Sequence, residues 1–201
     1  MKALIIVDAQ RDFMPGGNLP VEGGDAIIPV INELIRKFPL AAVTQDWHPP
    51  GHLSFASSHE GRQPFDTIDL DGIEQTLWPD HCVWGTPGAE FPDALNLDPA
   101  RAIFRKGMDL RVDSYSGFFD NGRRRKTGLA EWLRAMEADS VAVVGLAAEI
   151  CVAYTARDAA ELGFDTTVVE DGTRALSEEA FANAADDLRS KGAKLLPSSR
   201  L

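Results

Sequence analysis

Five stretches of this chain carry residue types that could do chemistry together. In TQDWHPPGHLSF (44–55), Asp46 and His48 form a D-x-H pair. An extended chain points both to the same side, so a carboxylate oxygen and an imidazole nitrogen could share one cation. WPDHCVWGT (78–86) offers His81 as a third ligand if its loop folds back. Two histidines and a carboxylate with open positions fit a catalytic Zn, Fe or Mn site better than a structural one. His52 and Ser54 are candidates for additional or water-mediated ligands, and His59, in a polar loop, is expected to face solvent. Cys82, followed by Val83 and Trp84, reads as a small buried thiol.

The other three stretches lie at the ends of apolar runs. In AVVGLAAEICVAYTARDAAELG (142–163), Cys151 falls in the first turn of an expected helix. A free cysteine is often core filling. At a helix N-terminus, though, unpaired N–H groups and the helix dipole favour a thiolate, and the same N–H groups can bind an oxyanion. Asp8 and Lys106 each put a charge at the end of an apolar strand, where an unpaired ion is costly to bury. A structural ion pair would explain both. Set beside Cys151, they would instead serve as a base for the thiol and a positive charge that holds that base ionised.

Positioning these residues requires a frame, and the apolar pattern supplies one. Runs at ALIIV (3–7), LAAV (40–43), AIF (102–104), VAVVG (141–145), TTVV (166–169) and AKLL (193–196) lack polar alternation. Such runs suit strands covered on both faces, as in a parallel sheet. Between them, 25–38 shows helical spacing with Asp25 as N-cap and Pro29 early enough to be tolerated. Segments 128–138, 149–162 and 177–190 are the other expected helices, with Gly163 as a C-terminal stop. Alternating strands and helices predict an α/β fold with right-handed crossovers, whose site lies beyond the carboxyl ends of the strands. Asp8, Asp46, Lys106 and Cys151 all fall there. Residues 47–100, which hold all four histidines, show no sustained helical period, and long irregular connections are usually functional.

At 201 residues and 44% hydrophobic composition, one domain spanning 1–201 is expected. No apolar run reaches membrane-spanning length. Asp8 interrupts the first apolar run, which therefore reads as a strand rather than a secretion signal. Two cysteines without such a signal point to reduced thiols and a cytoplasmic protein. A net charge of −11 argues against nucleic acid and anionic membranes as partners. The basic run RRRK (123–126) is expected to be a solvated loop.

The motifs ALIIVDAQRDFMPGGNLPV (3–21), TQDWHPPGHLSFAS (44–57), LWPDHCVWGTPGAEF (77–91), FRKGMDLRVDSYSGFFDNG (104–122), VVGLAAEICVAYTARDA (143–159) and VVEDGTRA (168–175) stand in order along the whole chain. In this the sequence resembles the nicotinamidases of the isochorismatase-like cysteine hydrolase superfamily, and closely their bacterial nicotinamidase/pyrazinamidase group. The resemblance implies a three-layer α/β fold, with helices on both faces of a six-stranded parallel sheet. It implies hydrolysis of nicotinamide to nicotinate and ammonia through a thioester, with pyrazinamide as a candidate further substrate, and it is compatible with a homo-oligomer. It assigns Asp8, Lys106 and Cys151 as catalytic triad. Asp46, His48 and His81 become ligands of one divalent metal, zinc first with iron or manganese as alternatives, and in the family this metal binds the pyridine nitrogen. Phe13, Trp78, Tyr115 and Ala147 match substrate-pocket positions. A cis peptide between Leu146 and Ala147 would aim the Ala147 N–H, with that of Cys151, at the oxyanion. LAAEICV departs from the common family form at Ala148, Glu149 and Ile150. Two other readings are another hydrolase of this fold, such as an isochorismatase or carbamoyl amidase, and a binding protein without turnover. Isochorismatases lack the Asp46, His48 and His81 set, which counts against the first.

Overall fold

A computed structural model describes residues 1–201. In chain order the elements are β1 (Lys2–Val7), α1 (Ile28–Lys37), β2 (Leu40–Asp46), β3 (Thr67–Leu70), β4 (Ile73–Thr76), β5 (Ala102–Lys106), α2 (Leu129–Ala135), β6 (Ser140–Leu146), α3 (Ala153–Glu161), β7 (Asp165–Arg174), α4 (Glu178–Ser190) and β8 (Lys194–Leu196). Six strands form one parallel sheet in the order β5-β2-β1-β6-β7-β8. The chain runs outward from β1 in one direction through β2 and β5, then returns to build β6, β7 and β8 on the other side. The switch point therefore falls between β1 and β6, where open α/β sheets place their sites.

Both faces of the sheet are covered. Leu4 and Ile6 of β1 pack with Ile31, Leu34 and Ile35 of α1, while Ala3, Ile5 and Val7 pack with Leu129 and Leu133 of α2 and Ala156 and Ala159 of α3. Each fully buried aliphatic side chain contributes about 1.5–3 kcal/mol, and strands lined on both sides keep no polar alternation. The layers are unequal. On the α1 face much of the cover comes from the irregular segment after β2, through Trp78, Cys82, Ala89 and Leu95. That packing fixes the loop that carries the histidines.

Four expectations need correction. The helix expected from Asp25 begins as a 3-10 turn over Gly24–Ile27, and α1 proper starts at Ile28 with Pro29 in its first turn, where a missing N–H costs nothing. Asp25 makes no capping bond there. The strand at 102–104 is not covered on both faces: β5 is the sheet edge, and Ile103 is 52% exposed. The helix expected over 149–162 opens with a π-helical turn at Ala148–Val152 before α3, in which the Val152 N–H donates to the Ala147 carbonyl at 3.1 Å. Finally, 47–100 contains an antiparallel hairpin, β3–β4, turning at Asp71 (φ 56°) and Gly72 (φ 81°). Asp-Gly is the usual two-residue signal for such a turn.

Candidate active site

Asp8 follows β1, and Asp46 and Lys106 end the neighbouring strands β2 and β5, where they are register partners. Residues opposite each other on parallel strands share a face, so Lys106 Nζ donates to Asp46 Oδ1 at 2.7 Å. It also donates to the Ser114 carbonyl at 2.7 Å and reaches Cys151 Sγ at 3.5 Å. Asp8 Oδ2 pairs with the same ammonium at 2.8 Å, nearer than the thiol, and Oδ1 accepts from Thr44 Oγ1 at 2.6 Å. Asp8, Asp46 and Cys151 each bring an oxygen or sulfur within 4.8 Å of one another.

Burial and charge set the protonation of this group. Desolvation pushes the Asp8 carboxyl up to about 6 against the pull of Lys106. Burial works against the Lys106 ammonium, but Asp46 and Asp8 outweigh it and hold its pKa well above the ordinary value. Burial would raise Asp46 too, yet Lys106, His48 and His81 keep it well below the carboxylate range. The Cys151 thiol is pushed well up, first by burial and then by Asp8 and Asp46, with Lys106 opposing. This corrects the expectation of a helix-stabilised thiolate. The resting group is a thiol, because desolvation outweighs the one nearby cation, and it needs a base at the moment of attack.

On the other side of Asp46, His48 Nε2 and His81 Nε2 lie 3.6 and 3.8 Å from Oδ2. His48 Nδ1 bonds the Gly107 carbonyl at 2.9 Å and His81 Nδ1 bonds the Pro79 carbonyl at 2.8 Å. A carbonyl only accepts, so each Nδ1 carries a proton, and in its neutral form each ring turns a bare Nε2 lone pair toward Asp46. Gly107 is required here: its φ is +67°, and a Cβ would stand 2.4 Å from His48 Cε1. Asp46 draws the His48 pKa up despite burial, while His81, buried beside His48, falls to about 4. His48 Nε2 is buried with no protein partner. Asp8 and Asp46 also put two negative charges against the single charge of Lys106. Converging lone pairs and excess buried negative charge together fit a divalent cation.

Thiol and ligand set open into one cavity of about 360 Å³. Its walls are Phe13, Leu19, Trp78, Tyr115, Ala147, Ile150, Cys151 and Leu176, with Asp46, His81 and Asp113 as polar members. All four substrate-pocket positions expected from sequence, Phe13, Trp78, Tyr115 and Ala147, are among them. The Leu146–Ala147 peptide is cis. Glu149, one of the departures from the family form, accepts from the Leu176 and Ser177 N–H groups at 3.2 and 2.8 Å and so holds Leu176 at the cavity.

Sequence reasoning missed several supports. Gln10 clasps Asp46, donating to its carbonyl and accepting from its N–H, both at 2.8 Å. Asp12 accepts from the Cys82 N–H at 2.7 Å, fixing the loop beside His81. Asp113 is buried on the cavity wall and accepts from the Ser114 N–H at 2.7 Å. Gln10 and Asp12 lie in an ALIIVDAQRD stretch where only Asp8 drew notice, and Asp113 sits in a polar loop without periodicity to mark it. Ser54 and His52 do not join the Asp46 set directly: Ser54 Oγ is tied to His52 Nδ1 at 2.8 Å. His59 is half-buried rather than solvent-facing, its Nε2 bonding the Leu53 carbonyl at 2.8 Å. Cys82 is fully buried, as expected of a packing thiol.

A family model described as the isochorismatase domain matches residues 2–199. The chain belongs to this isochorismatase family. Within the family it is 46% identical over 200 residues to a nicotinamidase of Acinetobacter baylyi, covering 99% of this chain and 94% of that protein. Its structure is similar to that of a nicotinamidase/pyrazinamidase from Acinetobacter baumanii, with a TM-score of 0.97, 44% identity, and 99% and 97% of the two chains covered. A pyrazinamidase from Pyrococcus horikoshii in complex with zinc superposes with a TM-score of 0.81 at 39% identity, covering 98% of each chain. The isochorismatase-family sheet found here is the six-stranded parallel one the motifs implied.

Proposed function

We propose that this chain is a nicotinamidase, a cysteine amidohydrolase that converts nicotinamide and water to nicotinate and ammonia. One observation carries the reading: a buried thiol, a buried carboxylate paired with a lysine and a cation-type ligand set gather at a single aromatic-walled cavity. Relatives named nicotinamidase along nearly the full chain support it. Asp46, His48 and His81 would hold a divalent metal, zinc first among the candidates, and when bound it supplies a Lewis-acidic anchor for the pyridine nitrogen. Phe13, Trp78 and Tyr115 clamp the flat ring and exclude water, which orients the carboxamide over Cys151.

Asp8 Oδ2, with no proton of its own to share, takes the thiol proton as the sulfur attacks the carboxamide carbon. Lys106 stays charged throughout and steadies the sulfur through its contact at 3.5 Å. The Ala147 N–H, which has no acceptor in the protein, and the Cys151 N–H receive the oxyanion; each such donor is worth about 3 kcal/mol elsewhere. Asp8 returns its proton to the departing nitrogen, releasing ammonia and leaving a thioester. Asp8 then draws a proton from water as it attacks, and nicotinate leaves as the thiol re-forms. Two free, buried cysteines fit a reducing compartment such as the cytoplasm.

The test is ammonia release from nicotinamide by purified, metal-analysed protein, beside a chelated sample and a pyrazinamide assay. Turnover lost on chelation and restored by zinc is expected. Metal-loaded protein that leaves nicotinamide untouched would refute the substrate assignment.

A further inference from the structure

The cavity has a buried end and an outer end. Asp46, His81 and Cys151 are buried, whereas Leu176, 37% exposed, is the most exposed of the lining residues. Leu176 belongs to no regular element: β7 ends at Arg174 and α4 begins at Glu178. Before it, Thr173 Oγ1 donates to the Gly145 carbonyl at 2.7 Å and pins the end of β7. After it, Ser177 caps α4 by accepting from the Ala180 N–H at 3.2 Å. Between these anchors the N–H groups of Leu176 and Ser177 find no backbone acceptor, and both donate to the Glu149 carboxylate, at 3.2 and 2.8 Å. Glu149 lies in the turn that carries Cys151, and the next residue, Ile150, is itself on the cavity wall. One carboxylate thus ties the turn bearing the thiol to the segment bearing the outermost wall residue.

Substrate geometry gives that tie a use. Nicotinamide bound as above has two anchors, its ring nitrogen at the Asp46–His48–His81 set and its carboxamide over Cys151. These two positions flank a single ring carbon, so the 5-position, directly across the ring, points away from both. The anchors occupy the buried end and the aromatic walls take the flat faces. The 5-position therefore faces the outer end, where Leu176 stands. A hydrogen there needs no room, but an alkyl group meets the leucine.

We propose that Leu176 limits which pyridine carboxamides react, excluding those with an alkyl group at the 5-position, and that Glu149 is a positioning residue that holds Leu176 in place. Two hydrogen bonds to an ionised acceptor are stronger than neutral ones and fix a segment that lacks a ladder of its own. Without them the leucine is free to swing toward solvent and the mouth widens. This rests on the nicotinamidase reading.

The measurement is the ratio of kcat/KM for 5-ethylnicotinamide to kcat/KM for nicotinamide, read by ammonia release. The proteins compared are wild type, Leu176→Ala, Leu176→Val, Glu149→Ala, Glu149→Gln and the double variant Leu176→Ala/Glu149→Ala, with thermal melting of each as a check on folding. A methylene of misfit in an apolar pocket is worth about 10–200-fold, so Leu176→Ala should raise the ratio about tenfold or more, and Leu176→Val should move it the same way by less. Glu149→Ala frees the leucine without shortening it and should raise the ratio about three- to tenfold. Glu149→Gln keeps a carbonyl oxygen at the same reach and should keep the wild-type ratio. Since Glu149 acts through Leu176, its removal from Leu176→Ala should add less than about twofold. Wild type that takes both amides equally, or ratios unchanged in both Leu176 variants, would overturn the role of Leu176. An unchanged ratio in Glu149→Ala, a Glu149→Gln ratio as high as that of Glu149→Ala, or full additivity in the double variant would overturn the positioning role. Metal-loaded wild type that hydrolyses neither amide overturns the nicotinamidase reading and this inference with it; wild type that hydrolyses nicotinamide, with variants of unchanged ratio, overturns this inference alone.

Discussion

Lys106 lies 2.7 Å from Asp46 and 2.8 Å from Asp8, and Arg125 lies 2.7 Å from Asp109. In distance the two groups are alike. In surroundings they are opposite: the Lys106 and Asp8 side chains are 0% exposed, whereas those of Arg125 and Asp109 are 73% and 26% exposed. Two neighbours in the basic run are also paired, Arg123 with Asp158 at 2.8 Å and Lys126 with Glu131 at 3.0 Å. Water screens those pairs, and each is worth little. At the strand ends no water screens the charges, so the same contacts shift protonation and leave Asp8 a poised base. Chemistry here follows from burial rather than from the presence of opposite charges.

The contrast can be broken from its strong end. Cys151→Ala should lower nicotinamide turnover by about 10⁴-fold or more with the ion cluster intact, read by ammonia release, as for other nucleophile deletions. Retained turnover would move the nucleophile elsewhere. Lys106→Met leaves two buried carboxylates facing each other, and urea unfolding of the metal-free protein should show a loss of about 3–5 kcal/mol. A loss below 1 kcal/mol would mean that the cluster is far wetter than its exposure indicates.

A smaller effect comes from pH. Asp8 acts only as the carboxylate, and its pKa is raised from the ordinary 3.8 to about 6, chiefly by burial. As pH falls through about 6 the base is protonated, so kcat/KM should drop about tenfold per unit below that point. A fall starting only near pH 4 would show Asp8 to be unperturbed. Smallest of all, Arg125→Ala should change stability by no more than about 1 kcal/mol and leave turnover unaltered. An effect as large as that of Lys106→Met would erase the distinction between the two regions.

Much of this site was legible before folding was considered. Asp8, Asp46, Lys106 and Cys151 stand where apolar runs stop, and strand ends are where an open α/β sheet exposes groups to a crevice. His48 was legible from its two-residue spacing to Asp46. His81 depended on a loop closing, and the contacts that close it, Gln10 to the Ala89 carbonyl and Asp12 to the Cys82 N–H, join residues 79 and 70 positions apart. No local pattern encodes such distances. The β3–β4 hairpin did carry a signal, Asp71-Gly72, that the weak apolar pattern around it hid. The RRRK run was expected to be merely solvated; it is exposed, but three of its four charges are paired.

The sequence by itself determined the parallel sheet, the order of its strands' chemistry-bearing ends and the identity of the groups that meet there, because strand and helix periodicity are local properties. Tertiary structure decided their states. Only packing gathered Asp46, Ser114, Cys151 and Asp8 around the one Lys106 ammonium. Only neighbouring carbonyls fixed which nitrogen His48 and His81 turn toward Asp46. Protonation and hydrogen-bond direction depend on what surrounds an atom in space, and that is settled when distant segments are brought into contact.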